Sequence, residues 1–220
     1  MNGRYISLAK SEDSQFNSVE EAIEDIKNNK IVIVLDSIKR ENEGDFICAG
    51  ANVTPQMINF MVTHARGAFI AAFCEYGRSE ELGIPPQRTS GENTEANKTR
   101  MMVSVDAAAG GSGSSTGDRA LTMNILAREG AVSNELRKPG HVIPIEAVAG
   151  GILERQGHTE AGVELVKLAG IKPAVAVDLE ILDTDGSMAS REYLFQMAKE
   201  FGLKIINIDQ IISFVREKTG

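Results

Sequence analysis

Apolar residues recur along this chain in two rhythms, and each marks a different element. Val19, Ala22, Ile23 and Ile26 fall at helical spacing behind Ser18-Val19-Glu20-Glu21, whose Ser and Glu can cap the free N–H groups of a first turn. This predicts an amphipathic helix that ends before the unbroken apolar run Ile31 to Leu35, which reads as a buried strand. Thr54 and Pro55 open a second helix through Met57, Ile58 and Met61, followed by an apolar strand near Phe69 to Phe73. From about Gly83 to Lys98 the periodicity gives way to Pro, Gly, Asn and Thr, a long polar loop of a kind that often carries function. Met101 to Asp106 reads as a strand, and Gly110 to Gly117 leads into a helix from Asp118 to about Glu129, closed by Gly130. Thr159 caps a helix carrying Leu165, Val166 and Leu168 up to Gly170. Ala174 to Leu182 is an apolar strand interrupted by Asp178 and Glu180. Ser190 opens a helix through Leu194, Met197, Ala198 and Phe201 that stops at Gly202, before a strand from Lys204 to Ile208 and a last short helix from Asp209.

Strands and helices nearly alternate, and neither a repeat nor a clean linker divides the chain. One α/β (α+β) domain over residues 1–220 is therefore expected, with helices on both faces of a mixed sheet. With 42% apolar residues in 220, a sizeable core is available. The formal charge of −8 argues against a nucleic-acid surface, which rewards clustered Lys and Arg. No apolar stretch approaches the roughly 18 residues of a membrane span. Met1 to Tyr5 lacks the basic-then-apolar order of a signal peptide, so a cytoplasmic protein is expected. Cys48 and Cys74 both sit in apolar settings and read as buried structural thiols.

The chemistry concentrates where the first strand ends. Asp36-Ser37-Ile38-Lys39-Arg40-Glu41-Asn42-Glu43-Gly44-Asp45 packs four carboxylates and two cations behind Leu35 without a spacer. Strand ends in α/β sheets open into ligand crevices. Along an extended segment Glu41, Glu43 and Asp45 would share a face, where crowded carboxylates bind a hard cation or take up protons near neutral pH. A solvated loop fits the same composition about equally well. The Gly110–Gly117 run is a linker or a phosphate cradle, and the linker fits the pattern somewhat better; with no Gly-Lys-Ser or Gly-Lys-Thr behind it, it is not a nucleotide-triphosphate P-loop. His64, His141 and His158 are the only histidines. The last two each follow a glycine, which permits a tight turn or a close ligand approach, and Glu160 follows His158 at a helix start. Any one histidine taken alone is more often a hydrogen-bonded structural residue.

The hexapeptide Arg40-Glu41-Asn42-Glu43-Gly44-Asp45 closely resembles a highly specific motif of the 3,4-dihydroxy-2-butanone-4-phosphate synthases of riboflavin biosynthesis. The resemblance continues in order through Thr99, the Ser/Gly loop ending in Asp118-Arg119, Pro139-Gly140-His141, Gly157-His158-Thr159-Glu160, and Glu180 ahead of Asp185-Gly186-Ser187-Met188. It implies a three-layer α-β-α sandwich and a Mg²⁺ (or Mn²⁺)-dependent lyase that converts D-ribulose 5-phosphate to L-3,4-dihydroxy-2-butanone 4-phosphate and formate. It also implies a homodimer with active sites at the subunit interface. By that likeness Glu41 and His141 would hold the metal, and Asp36, Glu43, His158, Glu160 and Glu180 would form the reacting shell. Arg40, Glu41, Asp45, Thr99, Ser112, Arg119, Lys138, Gly140, His141, Val142 and Glu180 would meet the sugar phosphate. No fused cyclohydrolase is expected behind the shared region. The chain departs from the family pattern at Ser112 to Thr116, where Thr-Gly-Ile-Ser-Ala is usual, at Lys138 and Val142, where Arg and Thr are frequent, and at Arg100 to Met102, where Ala-Phe-Thr is usual.

The residue types suit that chemistry. A ketose must lose a proton beside its carbonyl, and the rearrangement that follows needs several proton transfers, hence more than one carboxylate or imidazole. Two other functions compete with the lyase: another Mg²⁺-dependent sugar-phosphate enzyme, an isomerase or phosphatase, and a catalytically silent relative that acts as a binding partner.

Overall fold

The structure, a computed structural model, describes residues 15–37, 40–67, 70–88 and 91–219. Seven strands form one mixed sheet: β1 (Val32–Leu35), β2 (Gly44–Ala49), β3 (Ala71–Cys74), β4 (Val105–Ala107), β5 (Leu136–Glu146), β6 (Val175–Glu180) and β7 (Lys204–Asn207), in the order β4-β5-β3-β6-β2-β1-β7. β1 runs parallel to β7 and β3 to β5, while the other neighbours are antiparallel. Helices cover both faces. α1 (Val19–Lys27), α5 (His158–Leu168) and α7 (Ile208–Thr219) pack on one side, and α2 (Pro55–Ala65), α4 (Thr116–Leu126) and α6 (Arg191–Phe201) on the other, with a single-turn α3 (Arg78–Glu81) after β3.

Strand alternation divides the core into two layers. Ile33, Leu35, Phe46 and Cys48 face Ile58, Met61, Met123 and Leu194, whereas Val32, Val34, Ile47 and Ala49 face Ala22, Ile26, Val163 and Ile211. This is the expected three-layer α-β-α sandwich. Expected caps form as well: Ser18 and Glu21 make a capping box on α1, and Thr54 and Ser190 cap α2 and α6, while α4 begins at Thr116 rather than Asp118 and is capped by Ser115, which was not anticipated.

Several local readings are corrected. The Met101–Asp106 strand is confined to Val105–Ala107, and Met101 and Met102 make only isolated bridges to Ile145 and Pro86. Thr159 lies inside α5, whose N-cap is Gly157. β2 and most of β5 were not anticipated, because β2 opens with Gly44 and Asp45 and β5 contains Pro139 and Gly140, all poor strand formers on propensity. In place of a turn, residues 138–141 form a wide bulge: Val105 pairs with Val142, yet the next residue, Asp106, pairs with Arg137. Phe69, Ile38, Lys39 and the opening Met1 to Tyr5 lie outside the described residues. Among the described residues no helix is long and apolar enough to cross a membrane.

Candidate active site

Antiparallel pairing of β1 with β2 turns the charged segment back on itself, and Asp36 holds the bend. Its buried carboxylate accepts hydrogen bonds from the backbone N–H groups of Glu41 (3.1 Å) and Glu43 (2.9 Å) and from Arg40 Nη1 (3.1 Å). Asp36 is thus spent largely on shaping the loop. Arg40 also pairs with Glu41, which in turn accepts from Asn97 Nδ2.

Arg40, Glu41 and Asn97 line a cavity of about 160 Å³ at the ends of β2 and β6, with Glu43, Asp45, Thr99, Arg155, His158, Asp178 and Glu180 also in its wall. β2 and β6 place Asp45 opposite Glu180. The start of α5 brings His158, whose Nδ1 lies 3.2 Å from Asp45 Oδ2 and whose Nε2 lies 3.2 Å from the Val34 carbonyl. Glu160, also buried, does not reach the cavity wall. Its Oε2 pairs with Arg155 Nη1 at 2.6 Å and its Oε1 accepts from Val148 N, so it acts by fixing Arg155. Arg155 Nη2 then donates to Thr99 Oγ1 (3.1 Å), which joins α5 to the long polar loop. Gly157 leaves room for this pair, since a Cβ there would lie 2.5 Å from Arg155 Nη1.

Crowded acids shift one another. Glu43 is pushed up to about 7, first by burial and then by the negative charges of Glu180, Glu41 and Asp36, with Arg40 opposing. Burial and then Glu41 raise Glu180. Asp45 and Asp178 are raised well above the usual range, chiefly by burial. His158 is held down to about 4 by burial and therefore stays neutral, the form that ligates metals.

Ligand atoms of Asp36, Glu41 and His158 lie within 4.8 Å of one another, and carboxylate oxygens with one imidazole nitrogen suit a small divalent cation. The expected partner of Glu41, His141, stands elsewhere. It belongs to a second group at the β4 edge of the sheet, where its N and Nδ1 each lie 2.8 Å from the Asp106 carboxylate. Ser112, Arg119, Lys138, Gly140 and Val142 also belong to this edge region, and none of them lines the cavity. Lys138 Nζ reaches Ser133 Oγ (2.9 Å), and the Gly111 and Gly113 N–H groups of the Gly110–Gly117 run already donate to the Asp118 carboxylate. Val142 is buried in the core. His64 packs against Phe60 and Phe201, away from the cavity.

The profile of the 3,4-dihydroxy-2-butanone 4-phosphate synthases matches residues 20–214. The chain belongs to that family. The riboflavin biosynthesis protein RibBA of Bacillus cereus is 42% identical over 201 residues, covering 91% of this chain and 50% of its own length. RibBA of Porphyromonas gingivalis is 42% identical over 207 residues, covering 92% of this chain and 50% of its own. The chain thus spans about half the length of the curated relatives it matches. A crystal structure of a 3,4-dihydroxy-2-butanone 4-phosphate synthase in complex with two magnesium ions superimposes with a TM-score of 0.89 at 38% identity, covering 93% of this chain and 99% of that one.

Against that family framework, sequence reading missed Arg155, Asn97 and Asp178. Arg155 had one local signal, its place just before Gly157 at a helix start, and Asp178 had another, a charge inside an apolar strand. Asn97 had none, because a polar residue in a polar loop is unremarked.

Proposed function

We propose that this protein is a 3,4-dihydroxy-2-butanone-4-phosphate synthase, a lyase that takes D-ribulose 5-phosphate to L-3,4-dihydroxy-2-butanone 4-phosphate and formate in riboflavin biosynthesis. The observation that carries the proposal is the meeting in one small cavity of a carboxyl that exchanges its proton near neutral pH, a fixed arginine and a metal-competent carboxylate–imidazole group. Mg²⁺ or Mn²⁺ would be held by Glu41, whose ligand atom stands within 4.8 Å of those of Asp36 and His158, with His141 as the second ligand that the family resemblance implies. Bound there, the ion supplies Lewis-acid polarisation of a ketose carbonyl.

Glu43 is the proton acceptor best matched to the carbon beside that carbonyl, since its raised pKa lets it accept and return a proton at working pH. Glu180, opposite Asp45 and also raised, is the second acid or base that the later steps require. Arg155, held by Glu160 and Thr99, is placed for the phosphate. Arg40 lies beside it in the same cavity wall.

His141 enters through a second subunit in this proposal. A homodimer with sites between its subunits would bring the edge group of Ser112, Arg119, Lys138, Gly140 and His141 to a partner's cavity. His141 is suited to such a role because it is half exposed while Asp106 orients its ring.

Formate release from D-ribulose 5-phosphate by the purified protein with Mg²⁺ tests the activity. Inorganic phosphate or a pentose isomer in place of formate would make the protein a phosphatase or an isomerase, and bound metal with no turnover would make it a silent relative. Glu41→Gln, which removes a ligand charge at nearly constant volume, is expected to keep the fold and lose turnover by at least about 100-fold, the scale of a damaged metal shell. Wild-type rates from a folded Glu41→Gln protein would remove the metal assignment.

A further inference from the structure

Asp178 sits in the middle of β6 with apolar residues opposite it on both sides, Ile47 on β2 and Ala71 on β3. The rest of β6 from Val175 to Leu179 is apolar and buried, and Asp178 itself is 5% exposed. A carboxyl at the centre of a sheet is ordinarily retained by backbone N–H donors or a cation. Here Oδ1 has no hydrogen-bond partner among the described residues, and the same holds for Oδ1 of Asp45, with which Asp178 stands within hydrogen-bonding reach. Both residues form part of the cavity wall.

The geometry points to Asp178 as a substrate-positioning residue of the proposed lyase site, whose carboxyl meets a hydroxyl group of the bound sugar phosphate beside Asp45. A polyhydroxy chain matches this wall because it supplies hydroxyl donors to carboxyl oxygens that the protein leaves unpaired. The inference rests on the sugar-phosphate reading above. A structural residue at this position would instead stabilise the sheet, and a carboxyl buried beside another carboxyl does the opposite.

The test is calorimetric binding of D-ribitol 5-phosphate to the intact protein with Mg²⁺. This ligand keeps the hydroxyl chain and phosphate but has no carbonyl, so binding reports on Asp178 whether or not D-ribulose 5-phosphate is turned over. Asp178→Leu is expected to weaken this ligand by about tenfold, the loss of one buried hydrogen bond. It should leave the affinity for 2-hydroxyethyl phosphate, which lacks the chain, unchanged, and it should raise the melting temperature. Asp178→Asn keeps the shape and is expected to weaken binding less. Unchanged D-ribitol 5-phosphate affinity in either folded variant overturns the proposal. So does a lowered melting temperature together with equal losses for both ligands, which is the mark of a structural role. A loss confined to Mg²⁺ affinity would make Asp178 a cation ligand and overturn it too. Failure of wild-type protein to release formate, with D-ribitol 5-phosphate still bound and still sensitive to Asp178, would count against the lyase activity alone.

Discussion

Glu43 shows how one residue's surroundings decide what it can do. In water a glutamate is charged at neutral pH, but here burial and three neighbouring carboxylates lift it to about 7. The consequence for stability has a definite sign. The folded protein binds this proton more tightly than the unfolded chain, so the contribution is complete below about pH 4.5 and is lost as pH rises through about 7. Protein stripped of divalent ions by a chelator should therefore melt at progressively lower temperature between pH 5 and pH 7.5, and Glu43→Gln should flatten that slope. Parallel slopes in the two proteins would show that the proton is held elsewhere. Cys48 and Cys74 behave in the opposite sense functionally: burial pushes both thiols up to about 12, in keeping with their reading as inert core residues.

At the scale of elements, the bulge between β4 and β5 decides where His141 points. Gly140 crosses so close to β4 that a Cβ would lie 2.1 Å from the Val105 carbonyl carbon and 2.3 Å from Asp106 N. No side chain fits without separating the strands. Gly140→Ala is expected to destabilise the fold by about 3 kcal/mol, the upper range for forced overpacking, and to release His141 from Asp106. Chemical denaturation checks the first effect, and the NMR chemical shifts of the ring at fixed pH check the second. A variant as stable as wild type with an unaltered His141 signal would mean that the bulge is not held by this contact. The β1–β2 bend works by a different device, one buried aspartate collecting backbone N–H groups, and that is why the Arg40 to Asp45 segment presents its carboxylates inward.

For the whole molecule, the decisive feature is that the candidate site residues lie in two places, a cavity at the ends of β2 and β6 and a group at the β4 edge. If two subunits complete each site, Glu41→Gln and His141→Ala damage different halves. Mixing the two inactive proteins under conditions that exchange subunits should then restore about a quarter of wild-type turnover, since half of the dimers are mixed and each carries one intact site. No recovery from folded, exchanging proteins would place both residues in one subunit's site or take His141 out of it.

Much of this protein was legible one segment at a time. Ser18 with Glu21, Thr54 with Pro55, and Ser190 with Gly202 announce helices because caps and 3.6-residue periodicity are local, and the Arg40 to Asp45 motif names the family because it is contiguous. β2 and β5 were hidden for the same reason, since a Gly-Asp start or a Pro-Gly pair looks unlike a strand until neighbouring strands supply its hydrogen bonds. Which imidazole lies near Glu41 within the chain, which carboxylate holds Arg155 and how deep Asp178 is buried appear only in the tertiary structure. Those pairings join residues far apart in the chain through sheet register and a bulge, and no local pattern encodes the distance between them.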